Sequence, residues 1–179
     1  VEAIAKSTPN GRMYETPDGA SYPSVTTVMS YMTQDSIKAW RERVGEEEAN
    51  KISNQAATRG TKIHDLCEKI LLNEEVSYDK LSLLDKEMFS KFRPILDRIN
   101  NVYALERALY SHHLRLAGRV DCIAEFDGKL CVIDFKTSRK PKRKNWIDNY
   151  FMQCTAYSIM FEEMTKIPIP SIAVLICVE

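Results

Sequence analysis

The hydrophobic rhythm is sharpest between Gly118 and Ser138, where "GRVDCIAEFDGKLCVIDFKTS" sets two apolar, β-branched runs around Asp127-Gly128. An Asp-Gly pair in that setting predicts a hairpin with a two-residue turn. Counting outward, Phe126 pairs with Lys129, and the constant index sum brings Asp121 opposite Asp134. Side chains alternate along a strand. One face then holds Val120, Cys122, Ala124, Phe126, Cys131, Ile133 and Phe135 and is wholly apolar. The other holds Arg119, Asp121, Ile123, Glu125, Leu130, Val132, Asp134 and Lys136. A slip of one residue would bury those charges, so the register is firmly set.

Upstream the rhythm is helical. Ile63, Leu66, Cys67, Ile70 and Leu71 follow the 3,4 spacing of an amphipathic helix. Gly60 predicts a separate start near Thr61, after an earlier helical stretch from Glu46. Asp35 predicts a cap for a helix running to about Val44, with Gly45 as the break. "YETPDGASYPSVTTVMSYM" holds a Pro-Asp-Gly turn and predicts a short hairpin or extended arm leading into a helix. Leu83 to Asn101 reads as a helix with Pro94 as a kink or break. "YALERALYSHHLRLAGRV" reads as strand, "NWIDNYFMQCTAYSIMFEEMTK" as a long helix and "SIAVLICVE" as a closing strand. Helices first, then strand, hairpin, helix and strand, predict one α/β domain with a mixed sheet over residues 1–179. Its first part, to about 105, is expected to be mainly helical, with the sheet core from about 106.

Composition narrows the class. A chain of 179 residues can bury a real core, and 44% apolar with 28% charged residues is ordinary for a globular protein. A net charge of zero excludes a polycation that coats nucleic acid, yet leaves room for a local basic groove. No apolar run approaches the roughly 20 residues that cross a membrane, so no membrane partner is expected. "VEAIAKSTPNGR" lacks the layout of a secretory signal, and without an initiator Met some N-terminal sequence is expected to have been trimmed. The five cysteines sit in apolar patterns and form no C-x-x-C pair. They read as reduced, buried thiols of an intracellular protein, with no zinc site.

The charges on the hairpin then need an explanation. Directly opposed carboxylates repel. A divalent cation between Asp121 and Asp134 relieves that, and hard oxygen ligands suit Mg²⁺ or Mn²⁺. Lys136 would stand beside the ion to orient or activate a water, or to stabilise charge on a phosphate. The plainer alternative is a solvated face with a Lys–Asp pair. His64 and Glu68 share a helix face. His64 is either a satisfied structural histidine or, if its helix packs over the hairpin, a metal ligand. His112 and His113 are adjacent, point to opposite sides and make no paired site. Gln153 and Tyr157, at i and i+4, are a polar helix edge or a pair reaching the lysine or a nucleic-acid backbone. "SRKPKRKNW" places Arg139, Lys140, Lys142, Arg143 and Lys144 just past Lys136, as a solvated loop or a phosphate-binding one. Trp146 and Tyr150 follow, either stacked on bases or buried.

These motifs together resemble a family. "GRVDCIAEFDGKLCVIDFKTS" resembles the D…(D/E)-x-K core of the PD-(D/E)XK nuclease superfamily. "RGTKIH" and "QCTAY" resemble the His and Q-x-x-x-Y motifs of its RecB-like branch. "YPSVTTVMS", "ALERALYS" and "DNYFMQCTAY" are similar, in order, to the mitochondrial genome maintenance exonucleases and their phage relatives, over about residues 11–179. The resemblance implies a restriction-endonuclease-like core with a mixed sheet flanked by helices and an N-terminal helical region. It implies a Mg²⁺- or Mn²⁺-dependent deoxyribonuclease, an exonuclease on single-stranded DNA or DNA ends. A structure-selective endonuclease and a non-catalytic DNA-binding module are the alternatives. His64, Asp121, Asp134 and the Phe135 carbonyl resemble the metal ligands, and Lys136 the catalytic lysine. Gln153 and Tyr157 resemble the motif supporting lysine and DNA. Glu68 is a possible helper, and Glu106 is the weakest candidate. Some members of the branch bind an iron–sulfur cluster through an upstream cysteine and a C-terminal cysteine group. With Cys122 and Cys131 on the apolar hairpin face and no such group, none is expected here. Relatives usually continue past the closing strand with another strand and helix, so the C-terminal part is expected to be absent or shorter. A monomer is expected, in a bacterial or phage-infected cytoplasm or in mitochondria.

Overall fold

A computed structural model describes residues 2–179. It opens with an antiparallel meander, β1 (Ile4–Thr8), β2 (Gly11–Glu15) and β3 (Ser21–Pro23). The Pro17-Asp18-Gly19 turn joins the last two, with the Gly19 amide bonded to the Thr16 carbonyl at 2.9 Å. The expected hairpin is therefore present, with β1 added in front of it. Tyr14 packs this small sheet on Ala108 and Ala117 of the main one.

Helix α1 (Val25–Val44) begins ten residues before the expected cap at Asp35. Its cap is Ser24, whose hydroxyl accepts from the Thr27 amide at 3.0 Å. A serine with extended backbone satisfies an orphan N–H here, and the Val/Thr residues that read as strand continue as helix. Gly45, at φ 86°, breaks the chain as expected, and α2 runs unbroken from Glu46 to Leu71. Gly60 therefore does not start a new helix. It passes within the helix at a modest propensity cost, facing Thr137 of the sheet. Helix α3 (Leu83–Leu96) has a Ser82–Asp85 capping box and carries Pro94 in its last turn. It stops earlier than the expected Asn101, because the chain turns at Asp97 into strand β4 (Ile99–Ser111).

The main sheet has the order β4-β5-β6-β7, with β5 at Leu116–Phe126, β6 at Lys129–Ser138 and β7 at Ser171–Val178. Pairing is antiparallel from β4 to β6 and parallel between β6 and β7. Helix α4 (Asp148–Thr165) forms the crossover between those last two strands. The sheet is mixed, as predicted, and flanked by helices on both faces. Beneath α2 and α3, Ile63, Cys67, Phe89 and Phe92 pack on Cys122, Ala124, Ile133 and Phe135. Beneath α4, Cys154, Tyr157 and Met160 pack on Val120, Ile123 and Val132.

The hairpin register holds from Phe126–Lys129 to Cys122–Ile133. Its two faces do not divide as expected. Ile123 and Val132 lie in the second core, so the face with the charges is covered by α4 rather than left as an open polar wall. Val120 also joins that core instead of the Cys122 side. The alternation flips where Glu106 (φ 49°) faces Asp121, and Ala104 and Leu109 flip in the same way on β4.

Candidate functional site

The site forms where the sheet stops behaving as a sheet. The β5–β6 ladder ends at Cys122–Ile133, and the next position in that register is Asp121 opposite Asp134. Asp121 instead spans to the neighbouring strand with its side chain. Its Oδ2 accepts from the Phe135 amide at 2.8 Å. Beyond this point β6 continues with β7 alone.

Helix α2 closes the site from one side. Ile63 and Cys67 anchor it in the core, which turns His64 toward the strands. The Phe135 carbonyl accepts from His64 Nε2 at 2.6 Å. A carbonyl only accepts, so Nε2 is the donor in this contact. Nδ1 lies 3.7 Å from Asp121 Oδ1. The Phe135 carbonyl, expected among the metal ligands, here contacts the histidine ring and orients it.

Glu106 completes the group. His64, Glu106 and Asp121 offer ligand atoms within 4.8 Å of one another. The weakest candidate in the sequence thus lies within this group. Its signal is its register, one residue between the Leu105–Cys122 and Arg107–Val120 pairs, directly facing Asp121. The positive φ at Glu106 disguises this in a simple alternation count. Burial, with Asp121 and Glu68 nearby, pushes the Glu106 carboxyl up to about 7, against the pull of His64 and Arg119. Glu68, the expected helper, acts here as one more negative charge.

Asp134 lies deeper, 2% exposed. Lys136 Nζ donates to its Oδ1 at 2.8 Å. Oδ2 is 2.7 Å from the same nitrogen but makes no well-formed hydrogen bond, leaving a buried oxygen short of a partner. Burial raises Asp134 above its ordinary range, Lys136 opposes that, and Asp121 adds to it. For Lys136, burial disfavours the charge, but Asp134 and Asp121 outweigh it and raise its pKa. The lysine is a firmly protonated ammonium in this arrangement. An imidazole nitrogen, the neighbouring carboxylates of Glu106 and Asp121, and the orphaned Asp134 oxygen are a donor set that fits a hard divalent cation.

The lysine is held from α4. Gln153 Oε1 accepts from Lys136 Nζ at 3.4 Å, and Gln153 Nε2 donates to the Tyr157 hydroxyl at 3.2 Å. Tyr157 is only 3% exposed and packs against Gly118. Its hydroxyl accepts from Gln153 on the buried side of the lysine. Tyr150 places its ring 5.1 Å from Lys136 Nζ.

A cleft of about 1050 Å³ opens next to this group, between α2 and the loop after β6. Arg59 and Lys62 line one side, and Arg139, Lys140 and Lys142 the other. Tyr150 and Thr137 link it to Lys136. Arg59 pairs with Glu179, which Arg139 also approaches at 3.7 Å. Arg143 and Lys144 lie exposed further along the loop, and Trp146 is exposed beyond them. The five cysteines are free and buried. Among the described residues no helix is long and apolar enough to cross a membrane.

The family model of the PD-(D/E)XK nuclease superfamily matches residues 31–178. Mitochondrial genome maintenance exonuclease 1 of Homo sapiens is 35% identical over 129 residues, covering 67% of this chain and 38% of the human protein. The protein of that name from Mus musculus is 33% identical over 147 residues, covering 76% of this chain and 43% of the mouse protein. That from Xenopus tropicalis is 31% identical over 128 residues, covering 67% and 37%. The chain thus spans about two fifths of the length of the curated relatives it matches. The family match runs from α1 to β7 and includes His64, Glu106, Asp121, Asp134 and Lys136, and the chain belongs to the PD-(D/E)XK nuclease superfamily.

Proposed function

We propose that this chain is a nuclease domain that hydrolyses DNA phosphodiester bonds with Mg²⁺ or Mn²⁺, as an exonuclease on single strands or DNA ends. The observation that carries the reading is the meeting of His64, Glu106 and Asp121 within 4.8 Å, beside the Asp134–Lys136 pair. His64 Nδ1, Glu106, Asp121 and Asp134 Oδ2 are the atoms assigned to the ion. These residues would hold a divalent ion, which would supply Lewis-acid polarisation of the phosphate and a more acidic water.

The chain's own groups do the rest. Lys136, protonated, puts a fixed positive charge where the phosphate gains negative charge, and orients the attacking water. Gln153, backed by Tyr157, restrains the lysine so that it need not reorganise during reaction. Lys140, Lys142, Arg143 and Lys144, with Arg59, Lys62 and Arg139 along the cleft, bind the strand's phosphates. The relatives' printed name, exonuclease, supports attack from an end. The word mitochondrial in that name and the buried free thiols support an intracellular setting.

Digestion of a linear and a closed circular single strand, each with Mn²⁺, tests the reading. The linear strand is expected to be degraded and the circle to survive. Cutting of the circle supports a structure-selective endonuclease instead. No cutting of either leaves a DNA-binding module.

A further inference from the structure

Trp146 lies 60% exposed on a short 3₁₀ turn, Lys144–Trp146, between the basic loop and α4. A single exposed apolar side chain is ordinary and proves nothing alone. Its surroundings are less ordinary. The Arg143 guanidinium sits 5.2 Å from its ring centroid, and the Trp146 amide donates to the Arg143 carbonyl at 2.9 Å. The two residues are thus fixed to one another by backbone and by side chain. Lys142 on one side and Tyr150 on the other both line the cleft, and Tyr150 touches Lys136. The Arg143–Trp146 pair thus lies in the chain between two residues that line the cleft, Lys142 and Tyr150.

A basic groove with an aromatic platform is the arrangement that holds a single strand, because every base has a stacking face. We propose that Trp146, braced by Arg143, is a base-stacking platform on the turn after the basic loop that favours strands with unpaired bases. A base inside a duplex already has both faces covered by its neighbours and cannot use the ring. The ring would therefore help set strand preference while taking no part in hydrolysis. Only the path of the strand rests on the proposed function.

The test uses binding in EDTA, so that cleavage does not enter. The chain has two tryptophans, Trp40 and Trp146. In a Trp40→Phe background, Trp146 fluorescence is expected to be quenched by an oligothymidine strand and unchanged by a blunt duplex of equal length at saturating concentration. Trp146→Ala is expected to weaken single-strand binding about tenfold, within the range for losing one stacked base. Trp146→Phe is expected to keep most of the affinity. A strand carrying abasic sites should bind wild type and Trp146→Ala alike. Equal losses on intact and abasic strands, or no loss at all, would overturn the proposal. Trp146→Ala should still degrade a linear strand at saturating DNA, so failure of stacking and failure of the nuclease reading give different results.

Discussion

Gly118 and Tyr157 fit together only because the glycine has no side chain. A Cβ at Gly118 would lie 2.8 Å from Tyr157 Cε1 and 3.0 Å from its hydroxyl oxygen. The tyrosine in turn holds Gln153, and Gln153 holds Lys136. A backbone position on β5 thereby sets the aim of a lysine on β6.

Gly118→Ala should therefore push the tyrosine ring out of place. Overpacking of this kind costs about 1–3 kcal/mol. A urea titration should show that loss, and activity per folded molecule should fall as well. A variant that loses stability but keeps full activity would show that the tyrosine does not aim the lysine.

Glu106→Gln should act in opposite directions with and without metal. In the metal-free protein the change removes a charge crowded by burial, Asp121 and Glu68, so the melting temperature should rise. Saturating Mn²⁺ should then stabilise the variant much less than wild type, since one ligand is lost. Equal Mn²⁺-induced shifts in both proteins would remove Glu106 from the ligand set.

Gly60→Ala should stabilise the fold. The glycine lies inside α2, and a Cβ there meets only Thr137 Oγ1, at an ordinary 3.8 Å. Alanine in a helix interior gains about 0.5–1 kcal/mol over glycine. An increased urea midpoint with unchanged slope is the expected result.

Glu163 gives the fold an acid-sensitive tie. Its carboxylate accepts from Ser111 Oγ and, at 2.9 Å, from the His112 amide, fastening α4 to the β4–β5 turn. Burial opposes its charge, but these hydrogen bonds outweigh it and lower its pKa below the ordinary 4.5. A depressed acid stabilises the fold above its unfolded pKa, and that contribution disappears as pH falls through the lowered value. Wild type should be more stable than Glu163→Gln at pH 6, and the gap should close toward pH 3. A gap independent of pH would contradict this.

Much of the site was legible where local rules are strong. Asp127-Gly128 set the hairpin register correctly from Phe126–Lys129 to Cys122–Ile133, one position short of the expected Asp121–Asp134 pair. The mixed sheet followed from element order. His64 was placed on the right helix, and the i, i+4 spacing of Gln153 and Tyr157 matched a real hydrogen-bonded pair. Legibility failed where tertiary contacts override local signals. Gly60 looked like a break because a propensity cost is visible in sequence and the packing that absorbs it is not. The helix after Leu83 was extended too far, because β4 starts in residues of mixed character that only sheet pairing decides. The place of Glu106 beside Asp121 and His64 was not legible, because it depends on a second hairpin and on a positive φ at Glu106 itself.

The most direct measurement is cleavage of an end-labelled linear single strand by wild type and Lys136→Ala, in Mn²⁺ and in EDTA, with DNA affinity measured alongside. Wild type should cut in Mn²⁺ and not in EDTA. Lys136→Ala should lose about 10²–10³ in rate or more, the scale of a removed charge-stabilising group, while binding DNA nearly as well. Metal-dependent cleavage at the wild-type rate in Lys136→Ala would contradict the account.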